Sequence, residues 1–342
     1  MKAGLPLVGV NQANMAWLNT SQRDAMFAEM IRSGVKAVRL NIQPPLQDSK
    51  NSLVQAHKHG LSVLLVVTLS AKEFYEPGTE RRPGNAMVKA AYPLSKLDVG
   101  KFEESFGAFW RDLDQSGVVL SGVEVGNEID WAEFNGDLGV YSKEHGRVGF
   151  RDLANYDAIE RGIEKYLGIV SAVRRLKESI LSARNTVIVA AGMANIPSHW
   201  AAKSGADALE VEALQEKLFK RGLARSVDAL AIHHYPNADS APDLRKRALR
   251  ATVAKCGAAK IGVGCWLTEW GVRNDERNCP VDDKQRAKIV REVREIVDPV
   301  ARAGEIAALF YFEWSSNSQT SIWRCGDLTE AGRIAIAPVA AK

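Results

Sequence analysis

The chain has few of the features that announce a specialised protein. It carries only four cysteines in 342 residues, Cys256, Cys265, Cys279 and Cys325, all in the last third. None shows CxxC spacing or a Cys/His pattern suited to zinc, and His57, His59, His145 and His199 show no metal spacing either, so no metal is expected. No apolar stretch reaches the roughly 20 residues of a membrane span. Met1 to Pro6 leads almost directly into the first apolar segment and is too short to read as a signal peptide. Pro, Gly and Ser never gather into a linker, and no repeat or low-complexity tract interrupts the chain, so residues 1–342 read as a single domain. Neither sign of charge dominates: the net charge is +4, with acids and bases interleaved as in Arg291-Glu292-Val293-Arg294-Glu295. Arg245-Lys246-Arg247 sits among Ala and Leu in a helical pattern, which favours a surface helix over a nucleic-acid contact.

The cysteines admit three pairings. Cys279 and Cys325 fall in loops after neighbouring strands and are placed to pair, while Cys256 and Cys265 bracket a helix-to-strand turn. The alternative is four partly buried thiols. Disulfides would fit an oxidising compartment, so a secreted or periplasmic location is the expectation.

What the chain does have is an eight-fold alternation of strand and helix. Strands are expected at residues 5–12, 37–42, 62–69, 122–127, 186–191, 229–234, 265–268 and 307–313. Helices are expected near 20–33, 53–59, 99–114, 153–183, 207–222, 242–255 and 282–303, with a last one beginning near Thr329. Thr20 or Ser21 can cap the first helix and Gly34 can end it. Long loops fall at about 71–100 and 131–153. The pattern specifies an α/β fold, a (β/α)8 or TIM barrel. A doubly wound sheet would show a Gly-rich phosphate loop after an early strand, and none is present, so no organic cofactor is expected.

Barrels of this kind carry their chemistry at the carboxyl ends of the strands, and here polar and aromatic residues collect there. Two segments stand out, Val125-Gly126-Asn127-Glu128-Ile129 and Leu267-Thr268-Glu269-Trp270-Gly271. Each places a glutamate at the end of an apolar run, and a pair of carboxyls flanking one bond is the machinery of glycoside hydrolysis. Alternation puts Arg39 with Asn41, His233 with Tyr235, and Phe310 with Phe312 and Trp314 on common faces, while His234 points the other way. Asn127 and Glu128 are adjacent, so both reach one pocket only if the strand bends or ends there. Glu124 lies inside the strand and reads as structural. Asn11 and Gln12 close the first strand as candidate site residues, Asn11 for substrate contact, at a place where a metal-dependent barrel hydrolase would want His-x-His. Trp17, Trp131 and Trp270 lie in or beside strand-end loops, where they are candidates to stack on sugar faces, whereas Trp110 and Trp200 fit helix packing.

Asn127-Glu128 on the fourth strand, His233-x-Tyr235 on the sixth, Glu269 on the seventh and Trp314 on the eighth resemble the retaining β-glycosidases of glycoside hydrolase clan A. The resemblance spans nearly the whole barrel. Arg39 and His-x-Tyr lean towards family 5. Val-Gly-Asn-Glu-Ile is also similar to families 53 and 17, and a family 39-like barrel stays open. The resemblance implies Glu128 as general acid/base and Glu269 as nucleophile, with a carboxyl separation of about 5–5.5 Å if the mechanism is retaining. It further implies Asn127 on the sugar 2-hydroxyl, Tyr235 orienting Glu269, Arg39 keeping Glu269 ionised, His233 near Glu128 and Trp314 as the floor of the sugar site.

Tyr75, Tyr92, Trp131, Phe134 and Tyr141 would give the long loops an aromatic surface suited to an oligo- or polysaccharide and to endo-action. The expected partner is a β-linked glycan, taken by a monomer. A transglycosylase with the same glutamates, or a silent glycan-binding barrel, are the alternatives.

Overall fold

A computed structural model describes residues 5–142, 145–259, 264–276, 278–316 and 318–340, apart from the side chains of 256–259. The eight strands are β1 (Leu7–Asn11), β2 (Ala37–Asn41), β3 (Ser62–Val67), β4 (Gly122–Val125), β5 (Val187–Ala190), β6 (Ala229–His234), β7 (Cys265–Trp270) and β8 (Ile306–Tyr311). They form a closed barrel in the order β1-β8-β7-β6-β5-β4-β3-β2. This is the expected (β/α)8 architecture. The helices are α1 (Thr20–Arg32), α2 (Leu46–Lys58), α3 (Val99–Gln115), α4 (Tyr156–Ser179), α5 (Ser198–Ser204), α6 (Val211–Lys220), α7 (Pro242–Ala259), α8 (Lys284–Arg302) and α9 (Glu330–Ala335). Among the described residues, no helix is long and apolar enough to cross a membrane.

Local chemistry accounts for most boundaries. The cap of α1 is Asn19 rather than Thr20 or Ser21. Its side chain accepts from the Gln22 amide at 2.9 Å while Gln22 Oε1 accepts from the Asn19 amide at 3.0 Å, a reciprocal capping box. Helix α2 begins at Leu46, seven residues before the expected Leu53, because its first turns are polar and hide the helical period. Helix α5 was not expected; it is a short element closed by Gly205 at φ 63°.

The chain packs as two compact units. The first comprises the residues up to Asn41, Asn51–Leu65 and Asp228 onward, and the second Ile42–Lys50 and Val66–Val227.

In the first unit β8 runs parallel to both β1 and β7, and β7 to β6. Gly9 permits the close approach of β1 to β2, since a Cβ there would lie 2.4 Å from the Ala37 carbonyl oxygen. Beyond Leu267, β7 carries one residue more than β6 and β8, while nearer its start β8 carries an extra residue of its own between Ile306 and Ala308. Ile232 and His233 stand opposite Leu267 and Glu269, and Leu309 and Tyr311 opposite Leu267 and Trp270. The extra residue, Thr268, makes a β-bulge that re-aims the side chains beyond it. Trp266 therefore aligns with Ala231 and Ala308, whereas Trp270 aligns with His234 and Tyr311 on the other face.

Cys279 and Cys325 form a disulfide with Cα atoms 5.8 Å apart, as their loops led us to expect. Cys265 is also disulfide-bonded. The expectation for Cys256 concerns a side chain outside the described residues.

His234 faces α7, where Thr252 Oγ1 lies 3.5 Å from its Nδ1, and its buried Nε2 has no hydrogen-bond partner. Burial lowers its pKa from 6.5 to about 4. The imidazole is thus neutral in the fold and protonates more readily in the unfolded chain. Its contribution is fully present above pH 6.5 and is lost as the pH falls towards 4, amounting to about 3 kcal/mol. Urea unfolding at pH 7 and pH 4.5 should show His234→Asn losing less stability on acidification than wild type; equal losses would refute this.

In the second unit β4 and β5 pair in register from Gly122↔Val187 to Val125↔Ala190. Phe74, Phe102, Phe106, Phe109 and Trp110 pack together around α3, so Trp110 is a core residue as expected. The two long loops are tied down. Gly136 donates to the Tyr92 carbonyl at 2.9 Å, Tyr141 to that of Gly205 at 2.7 Å and Asp207 to that of Gly139 at 2.9 Å. A two-residue strand, Val148–Gly149, pairs with Ala208–Leu209.

Candidate active site

Glu269 ends its apolar strand buried, with each carboxylate oxygen engaged. Arg39 Nη1 donates to Oε1 at 2.5 Å and Tyr235 Oη donates to Oε2 at 2.6 Å. His233 Nδ1 stands 3.8 Å from Oε2. The bulge at Thr268 makes this possible, because it brings Glu269 opposite His233 and onto the face of Trp266. His233 and His234 point to opposite sides, as alternation requires.

Arg39 is positioned in turn by Asn11, its register partner across β1 and β2. Asn11 Oδ1 accepts from Arg39 Nη1 at 2.8 Å, and Asn11 Nδ2 donates to the carbonyls of Thr268 at 3.0 Å and Phe310 at 3.2 Å. Asn11 was expected to contact substrate. Its amide is instead committed to protein groups, tying the guanidinium to the backbones of β7 and β8. Gln12 does similar work: its Oε1 accepts from the Ser315 amide at 3.1 Å.

Glu128 follows β4 in the second unit. The strand stops at Val125, and Gly126 turns the chain at φ 86°. Glu128 itself has φ 45°, a left-handed conformation uncommon for a residue with a Cβ. Its amide donates to the Gly192 carbonyl at 2.8 Å and its carbonyl accepts from Trp131 at 2.9 Å. The bend removes the objection that Asn127 and Glu128 must face apart. At Gly126 a Cβ would meet Ala191, Ile129 and Tyr166 at 3.2–3.3 Å, so crowding and φ both call for glycine.

Asp130 is a residue that pattern reading missed. It is fully buried, and its two oxygens accept from the amides of Ala194 and Asn195, each at 2.9 Å. It thereby fixes the loop after β5 beside the turn that carries Glu128. One acid among several near a strand end gives no sequence signal for this. Glu124 is fully buried in β4 and accepts from the Gly192 amide at 3.2 Å, the structural part expected of it.

Several aromatic expectations need correction. Trp314 has no exposed surface; it stacks on Trp323 at 5.1 Å. Trp270 packs edge-on against Tyr311, on the face away from Glu269. Trp131 is buried and bridges to Ala208. Tyr75 is buried against Tyr92 and donates to the Leu69 carbonyl at 2.6 Å. A sugar platform needs an accessible ring face, and these residues spend theirs on packing. Among the described residues, exposed aromatics beyond strand ends include Trp17, 68% exposed, and Tyr235, 44% exposed.

No protein-family model and no curated protein sequence matches the chain. Solved structures do. A family GH5-4 broad-specificity endoglucanase from an uncultured bacterium superposes with a TM-score of 0.56 at 16% identity, covering 96% of this chain and 92% of that one. A GH5_18 protein from Bifidobacterium longum subsp. longum, crystallised with Manβ1-4GlcNAc, gives 0.56 at 13% identity, covering 96% and 76%. A GH30 endoxylanase from Clostridium papyrosolvens gives 0.53 at 12% identity, covering 97% and 72%. At such identity the likeness concerns the fold alone: the chain has the (β/α)8 barrel that these three structures share.

Proposed function

We propose that the protein is a retaining glycoside hydrolase that cleaves a β-linked oligo- or polysaccharide internally, with Glu269 as nucleophile and Glu128 as acid/base. The observation that carries this reading is the Glu269 carboxylate held between Arg39 and Tyr235. A guanidinium and a phenol donor both favour the ionised form, which a nucleophile must have at neutral pH. No such cation is needed by an acid that must keep its proton, and Glu128 stands on a left-handed turn after β4. Each glutamate lies at or just beyond the carboxyl end of a barrel strand, where enzymes of this fold carry their catalytic groups.

In the first step Glu269 attacks the anomeric carbon while Glu128 protonates the departing glycosidic oxygen. A glycosyl ester forms and the first product leaves. In the second step Glu128 takes a proton from water, the water oxygen bonds to the anomeric carbon, and Glu269 departs as carboxylate. Asn127 holds the sugar 2-hydroxyl, and Trp17 and Tyr235 offer the exposed rings on which sugar can stack.

Proton NMR of the first product from a β-glycan tests the stereochemistry. The β-anomer should appear first and mutarotate later; initial α-anomer would mean inversion and sink the double-displacement scheme.

A further inference from the structure

The loops after β7 and β8 enclose a groove of about 550 Å³, within the range of small-molecule sites. Its walls include Asn274, Glu276, Ser318, Gln319, Trp323 and the Cys279–Cys325 disulfide. Three features mark it as built. First, Arg324 lies beneath both loops and spends its guanidinium on their backbones. It donates to the carbonyls of Asn274 and Glu276 on one loop at 3.1 and 2.8 Å, and to those of Ser318, Gln319 and Ser321 on the other at 3.1, 2.6 and 2.9 Å. Second, the neighbouring Cys325 makes the disulfide to Cys279, so adjacent residues staple the same two loops. Third, Trp323 is partly exposed and lies at 5.1 Å and 19° on the buried Trp314, which fixes its ring as a rigid platform.

The chemistry of the walls selects a ligand class. With its donors committed to carbonyls, Arg324 is no anion receptor. Among the described residues the remaining groups are amides, hydroxyls, one carboxylate, the disulfide, the Val281 side chain and one indole face. Among the described residues the Gln319 side-chain amide takes no partner, so it is available to a ligand. An uncharged polyhydroxylated molecule with an apolar C–H face fits this set, and a lipid or a phosphate does not. We infer that this groove is a saccharide-binding site, in which Trp323 stacks on one sugar ring and Gln319 hydrogen-bonds its hydroxyls. The inference deepens the hydrolase reading by giving the enzyme a hold on long glycans beside the loop that leaves Glu269.

Affinity electrophoresis in gels containing carboxymethylcellulose, glucomannan, arabinoxylan or barley β-glucan tests it. Glu269→Gln protein, which retains no turnover, is compared with Glu269→Gln/Trp323→Ala. The second variant should bind at least one polymer roughly tenfold more weakly. A third protein, Glu269→Gln/Trp323→Phe, should recover most of the affinity, which separates a lost platform from a disturbed fold. Equal retardation of the Gln and Gln/Ala proteins, or no retardation in any gel, would overturn the inference. The catalytic reading fails by a different result, the absence of reducing ends when wild type is incubated with the same four polymers.

Discussion

Glu269→Ala is expected to lower turnover of a β-glycan by roughly 10⁴-fold or more, the scale on which loss of a nucleophile is felt. The variant should also lose stability, because the buried Arg39 charge loses its carboxylate partner and keeps the neutral Asn11 amide, so circular dichroism at the assay temperature must show a folded protein before rates are compared. The variant also distinguishes the two glutamates. Azide can take the place of the missing carboxylate and attack the anomeric carbon directly, so Glu269→Ala with azide should yield an α-glycosyl azide in a single inversion. Glu128→Ala should instead form the ester, which azide then opens to a β-glycosyl azide. Full activity of Glu269→Ala, or the opposite pair of azides, would overturn the assignment.

Arg39→Met is expected to damage both stability and activity. Arg39 is buried and serves Glu269 and Asn11 with one nitrogen. Removing one member of a buried pair typically costs about 3–5 kcal/mol, because the other charge is left without compensation. Without the guanidinium the Glu269 carboxyl holds its proton to higher pH, so the acidic limb of the kcat/KM profile should move upward. Arg39→Lys should restore little, since the shorter lysine chain ends before the Nη1 position from which both partners are bound. Denaturant unfolding gives the stability change and a pH–rate series gives the limb. An unshifted limb with normal kcat/KM would show that Arg39 is a structural counter-ion only.

How far the sequence carried this picture depended on the kind of information. The barrel was legible because buried parallel strands are continuous apolar runs, as in Ser62–Val67, and because strand and helix periods differ. Glu128, Glu269, Arg39 and Tyr235 were legible because a buried strand end has no packing use for such groups. The aromatic platforms were not, since an indole in a loop reads the same whether it faces solvent or, like Trp131 and Trp314, the interior. Asn11 was read at the right strand end with the wrong work, because an amide that holds a guanidinium and one that holds a sugar look alike in a sequence. The Asn19 cap was missed by a single residue, in a run of three polar side chains each able to serve.

The extra residue in β7 has a consequence for how this site can vary. In a regular strand the direction of a side chain is a matter of parity, and substitution cannot alter it. Here the direction of Glu269 departs from parity, because between Leu267 and Glu269 β7 carries one residue more than β6 does between Ile232 and His233. What fixes the direction is that Thr268 is taken up as a bulge and not paired in the ladder. Deleting Thr268 would leave Glu269 on the face of Trp266, whereas keeping Thr268 in regular pairing would turn Glu269 towards the helices.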